Sequence, residues 1–97
     1  RESAKFETSN QLLNDINKIW RRSQVDNMHG GIASDCPHRE RSAYTGDGQA
    51  ACVTVMHNYD AQNFYQKWVQ DMLGAQNAET GYVPNSAPWQ PGCGGGV

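Results

Sequence analysis

From Ser23 to Gly46 the chain shows no hydrophobic period of either kind, and glycine, proline and polar residues dominate it. This stretch constrains the fold more than any other feature. A connection of such length is out of scale with the short loops of compact domains, and marks a functional or disordered segment. Apolar residues at helical spacing lie on either side of it. Leu12, Leu13, Ile16, Ile19 and Trp20 recur on one face, and Thr8-Ser9-Asn10 ahead of them offers N-capping oxygens, so a helix is predicted from about Ser9 to Arg22. A second segment opens near Gly48 with Ala50, Ala51, Val53, Val55 and Met56; its β-branched residues weaken the helical reading against strand, but helix is favoured. A third places Phe64, Trp68, Met72 and Leu73 on one face and Gln62, Gln66, Lys67 and Gln70 mostly opposite, with Asp60 as its expected N-cap and Gly74 as its expected end. Beyond it, Gly81, Pro84, Pro88, Pro91 and the last glycines describe an irregular tail. The expected fold class is all-α.

Hydrophobic content of 37% and a mean hydropathy of -0.78 are low for an independent domain of 97 residues, and the apolar residues fall into two clumps. That suits helices packing against parts outside this sequence. A start at Arg1 and an end within the glycine run after Gly92 read the same way, as a piece of a larger protein. A net charge of -2, with no basic cluster beyond Arg21-Arg22 and the central loop, gives no footprint for nucleic acid. No apolar run approaches the length that crosses a bilayer, so no membrane partner is expected. Cys36, Cys52 and Cys93 are odd in number and widely spaced, which is not a disulfide framework. Cys36, His38, Cys52 and His57 match no closed zinc spacing, so no metal site is expected.

The segment from Asp35 to Gln49 is the chemically dense one. It holds the carboxylates of Asp35, Glu40 and Asp47, the guanidinium groups of Arg39 and Arg41, His38 and Tyr44, and it is shaped by Pro37, Gly46 and Gly48. Its charge alternates in sign, unlike a monotonous solvated run. A surface Arg-Glu-Arg cluster would also account for Glu40, and N-capping of the second helix for Asp47. Trp20, Phe64, Trp68 and Met72 are explained as core by their spacing, whereas Trp89, in a proline-rich loop, is either a cleft aromatic or an exposed one. The glycine run from Gly92 lacks the Lys and Ser/Thr of a phosphate loop.

The order Asp35-Cys36-Pro37, Arg39-Glu40-Arg41, Tyr44, Gly46-Asp47-Gly48-Gln49 resembles the catalytic loop of the bacterial α-L-rhamnosidases of glycoside hydrolase family 78. The resemblance extends upstream through Arg22-Ser23-Gln24 and Asn27-Met28-His29-Gly30. It continues downstream through Asn58-Tyr59-Asp60, Phe64-Tyr65-Gln66-Lys67-Trp68, Gly81-Tyr82-Val83-Pro84, Ala87-Pro88 and Gly94-Gly95-Gly96. Ser42-Ala43 departs from the Leu-Gly that the family usually has there.

This resemblance implies a partial (α/α)6 barrel, about three helices of a larger ring, with residues 23–47 as the catalytic loop. It assigns the general acid of an inverting glycosidase to Glu40, sugar-hydroxyl contacts to Asp35, Arg39 and Asp47, and an aromatic cover for the sugar's apolar face to Tyr44; His38 and Trp89 are further candidate contacts. The general base is a glutamate outside these residues, so the isolated chain is expected to be inactive. No cofactor is implied, and the partner is a rhamnose-containing oligosaccharide, polysaccharide or glycoside. Arg39 and Arg41 beside Glu40 would lower its pKa, the wrong direction for an acid. In an extended segment neighbouring side chains point to opposite sides, and burial with Asp35 and Asp47 nearby would raise it again. Two other readings stay open: a rhamnose-binding relative without turnover, and a structural helical piece that self-associates through exposed helix faces.

Overall fold

The computed structural model describes residues 1–34, 36, 38–39 and 41–90. Three helices, α1 (Gln11–Asn27), α2 (Thr45–Asn58) and α3 (Gln62–Ala75), dominate them, with a small hairpin of β1 (Met28–His29) and β2 (Ile32–Ala33) between α1 and α2.

α1 starts where the capping residues place it. The Asn10 side chain accepts from the amides of Leu12 and Leu13 at 3.0 and 3.4 Å, satisfying two of the helix's orphan donors. Thr8 and Asn14 brace the entry: the Thr8 amide and hydroxyl both donate to Asn14 Oδ1 at 2.9 Å, and Asn14 Nδ2 donates back to Thr8 O at 3.0 Å. The helix then continues past Arg22 to Asn27. Its last turn has no apolar period; the Arg22–Asp26 pair at 3.2 Å and the bond from Asn27 Nδ2 to Ser23 O at 2.8 Å support it instead.

The long connection is therefore shorter than expected and partly structured. Gly30 and Gly31 have φ of +58° and +76°, and positive φ at both central residues is what a two-residue type I′ hairpin demands. Met28 pairs with Ala33 and His29 with Ile32. The hairpin returns the chain to α1, where the Ser34 amide donates to Asn27 O at 2.8 Å and Ser34 Oγ lies 2.8 Å from His29 Nε2.

α2 begins at Thr45, earlier than expected, after an N-cap at Tyr44 that contributes no side-chain bond. Asp47 is thus not the cap: it lies in the first turn, where its charge complements the helix dipole. α3 is capped at Ala61 rather than Asp60, and it runs through Gly74 to Ala75. The Asp60 amide is donated to Arg1 O at 2.8 Å, which pairs the N-terminal segment with the α2–α3 connection.

Val55 of α2, Trp68 of α3 and Ala61 between the two helices are buried, as are the small residues Ala43 and Ala87. Of the expected core residues, Trp68 is buried and Trp20, Phe64 and Met72 are half-buried; Leu73, placed on the same face of the third helix, is exposed. α1 buries none of its residues, and Leu12, Ile16 and Ile19 form an exposed apolar stripe along it. The radius of gyration is 15.3 Å, against about 12.5 Å for a compact chain of this length. Among the described residues no helix is long and apolar enough to cross a membrane.

Candidate active site

The site residues read from the sequence that the structure describes fall on three pieces of chain: residues 36, 38–39 and 41, the lead into α2, and the segment 84–89. Asp35 and Glu40 lie outside the described residues. Cys36 O accepts from the amides of both Arg39 and Arg41 at 3.2 Å. Arg41 has φ of +53°, a left-handed conformation uncommon for a residue with a Cβ. Arg39 lies in a turn and Arg41 is left-handed; the extended segment expected through Glu40 falls on a residue outside those described. His38, Arg39 and Arg41 are exposed.

From the turn the chain enters a tightly built seat. Ser42 and Ala43 are buried, and the Tyr44 amide bonds back to Ser42 O at 3.0 Å in a three-residue turn. Residues 43–45 then lie antiparallel to residues 85–87. Ala87 N donates to Ala43 O at 2.9 Å, Tyr44 bridges Ser86, and Thr45 donates its amide and hydroxyl to Asn85 O at 2.8 and 3.2 Å. Trp68 fixes this clamp to α3: its indole Nε1 donates to Ala87 O at 2.8 Å in a buried bond.

The same ring explains Gly48. A Cβ at that position would meet Trp68 Cη2 at 2.1 Å, so the absence of a side chain lets the indole lie against α2. Tyr44 and Asp47 consequently share the N-terminal end of α2, the first half-buried and the second exposed. Trp89, 37% exposed, stands two residues past Ala87 on the partner strand of the clamp. The hairpin and its His29–Ser34 contact fix the chain immediately before Asp35.

Near the clamp, Tyr65 packs edge-to-face on Phe64 with ring centroids 5.3 Å apart, and its ring lies 6.2 Å from that of Trp68. Burial pushes its phenol up to about 12, and the Cys52 thiolate adds to the rise. Among the described residues no three His, Cys, Asp or Glu side chains gather in a way that could hold a metal ion.

Sequence reasoning placed Trp68 in the core but gave it no part in the site, and it passed over Asn85 and Ser86. One signal was available. Gly48 lies inside a helical segment, where a glycine costs stability unless something approaches the backbone closely.

These contacts join the lead into α2, the segment after α3 and the α3 indole at the start of α2. Residues 1–96 match the family described as the bacterial alpha-L-rhamnosidase 6 hairpin glycosidase domain, and the chain belongs to that family. An alpha-L-rhamnosidase of Formosa agariphila is 42% identical over 72 residues, 74% of this chain and 8% of the relative. A second from the same organism is 34% identical over 92 residues, 90% of this chain and 9% of the relative. The solved structure of an alpha-L-rhamnosidase from Dictyoglumus thermophilum superposes with a TM-score of 0.81 at 33% identity, covering 87% of this chain and 9% of that one. The chain thus spans under a tenth of the length of each. Its three helices make up part of a six-hairpin domain, in keeping with the all-α, partial-barrel expectation.

Proposed function

We propose that this chain is the segment of an inverting α-L-rhamnosidase that carries the general acid, Glu40, and one wall of the sugar subsite. The family match over residues 1–96, with the Asp35–Gln49 motif inside it, carries the reading. An inverting glycosidase needs a protonated carboxyl to protonate the leaving oxygen and a carboxylate to activate water, roughly 6.5–9.5 Å apart. Glu40 takes the first role, and the second falls to a residue outside this chain. Asp35, Arg39 and Asp47 would meet paired hydroxyls, which forked groups bind bidentately. Tyr44 would cover the apolar face of the deoxy sugar, with His38 and Trp89 at its margin. The placement of Tyr44 and Asp47 at one end of α2, beside the turn that carries Arg39, is compatible with this division of labour. The chemistry uses no cofactor, and the substrate class is a terminal α-L-rhamnoside in a glycan or glycoside.

The test is hydrolysis of an α-L-rhamnoside with an unactivated leaving group by the full-length protein carrying this segment. Glu40→Gln is expected to lower kcat by about 10² to 10⁴, the range for losing a general acid, and to remove the acidic partner's limb from the pH–rate profile. The 97-residue chain alone is expected to show no turnover. Full activity in the Glu40→Gln protein would overturn the assignment. An inert parent that still binds rhamnose would make the loop a recognition site.

A further inference from the structure

We infer that Trp68 is a positioning residue for the sugar-contacting end of α2, acting through the backbone of Ala87 and the bare Cα of Gly48. The inference rests on the reading of Tyr44 and Asp47 as sugar contacts. Two observations on different parts of the chain converge on this one side chain. Its Nε1 donates to Ala87 O at 2.8 Å, and the Ala87 amide donates onward to Ala43 O at 2.9 Å, one residue before Tyr44. Its ring edge occupies the space beside Gly48, one residue after Asp47, where a Cβ would lie 2.1 Å from Cη2. Trp68 itself is 3% exposed and cannot reach a ligand.

The two proposed sugar contacts are therefore bracketed. Tyr44 follows Ala43, which is bonded to the residue that the indole N–H holds, and Asp47 precedes Gly48, which rests against the indole edge. A tilt of the ring moves both ends of the 43–48 segment together. The Ser42-Ala43 pair is small and buried, so no bulky side chain stands in for the indole on that side. Because Tyr44 and Asp47 would hold the bound sugar while Glu40 transfers the proton, a fault in Trp68 should appear in substrate binding more than in turnover.

The experiment compares wild type, Trp68→Phe, Gly48→Ala and the double variant in the full-length protein, reading kcat and KM for the α-L-rhamnoside with thermal midpoints alongside. Phe keeps an aromatic ring but drops the donor, leaving Ala87 O buried without it, and does not reach as far toward Gly48. Trp68→Phe is expected to raise KM about tenfold while kcat stays within about threefold. Gly48→Ala is expected to do the same from the other side, and the two effects should combine to less than their product, since the shorter ring leaves room for the new methyl. A lowered thermal midpoint with unchanged KM would reduce Trp68 to a core residue and overturn the proposal. So would a loss confined to kcat. Should Trp68→Phe fail to fold, Gly48→Ala alone decides by the same KM criterion. A wild-type protein inert toward the rhamnoside overturns the functional reading and this role with it, and is told apart because the failure precedes any substitution.

Discussion

Arg21 and Trp68 each hold three pieces of chain together, one with polar contacts and one with packing. The Arg21 guanidinium donates to Ala4 O at 2.8 Å, to Asn58 Oδ1 at 3.0 Å and to Asn17 Oδ1 at 3.0 Å, and pairs with Glu2 at 3.3 Å. It also lies 5.7 Å from the Tyr59 ring centroid, and the Tyr59 hydroxyl donates to Arg21 O at 3.3 Å. In this way α1, the N-terminal segment and the end of α2 share one cation. Trp68 makes a single hydrogen bond and joins α3, the start of α2 and the 85–87 segment almost wholly by contact. The polar hub spreads its attachment over several bonds that each compete with water, so no one of them is decisive. The apolar hub is indivisible, because its donor, its ring and the glycine beneath it must all fit at once.

That difference predicts which hub breaks harder. Gly48→Ala forces the indole out of its place, and overpacking of this kind costs about 1–3 kcal/mol. Hydrogen exchange should report it as faster opening at the amides of Thr45 and Ala87, which bond to Asn85 O and Ala43 O, with the Arg21 region unmoved. Protection unchanged at both amides would mean the clamp does not depend on the ring. Arg21→Met keeps the stem and removes every guanidinium contact. Its Glu2 partner is 64% exposed, so the ion pair contributes little and the loss should be about 1 kcal/mol, from the hydrogen bonds. The amides of Ser3 and Asp60, which bond to Asn58 O and Arg1 O, are the reporters there. A loss at Arg21 larger than at Gly48 would invert the comparison.

The two regions were unequally legible in the sequence, and the reason is physical. Asn10 announced α1 because a side-chain cap acts on residues two and three positions away. The last turn of α1 was hidden, since Arg22–Asp26 and Asn27–Ser23 bonds sustain a helix without any apolar period. The hairpin was visible in principle: Gly30-Gly31 is a strong two-residue turn signal, but its flanking strands are too short to alternate. The cap assigned to Asp60 falls one residue later, on Ala61, which makes no side-chain cap bond, while the Asp60 amide pairs with Arg1 O, far away in sequence. At the site, the motif named residue types and order, and the family match upheld the family. The clamp was not legible, because it consists of backbone bonds between 43–45 and 85–87 that no side-chain pattern encodes. Trp68 was read as core by its spacing, correctly, yet spacing does not reveal where an indole N–H points.

The smallest effect expected is also on the packed side, at Tyr65. Burial first, and the Cys52 thiolate second, raise its phenol from 10.0 to about 12, so the folded chain keeps a proton that the unfolded chain loses near 10.0. Between those values the native state binds more protons than the unfolded one, so stability falls as pH rises. Below 10.0 the contribution is fully present, and it is gone once pH passes about 12. Tyr65→Phe should flatten the decline of the thermal midpoint across that window, relative to wild type, without altering it at neutral pH. Cys52→Ser should shift the phenolate absorbance titration back only part of the way, because burial is the larger cause and the serine leaves it in place. A full return to the ordinary tyrosine range in Cys52→Ser would assign the shift to charge instead of packing, and would make this corner of the Trp68 region resemble the Arg21 hub in kind.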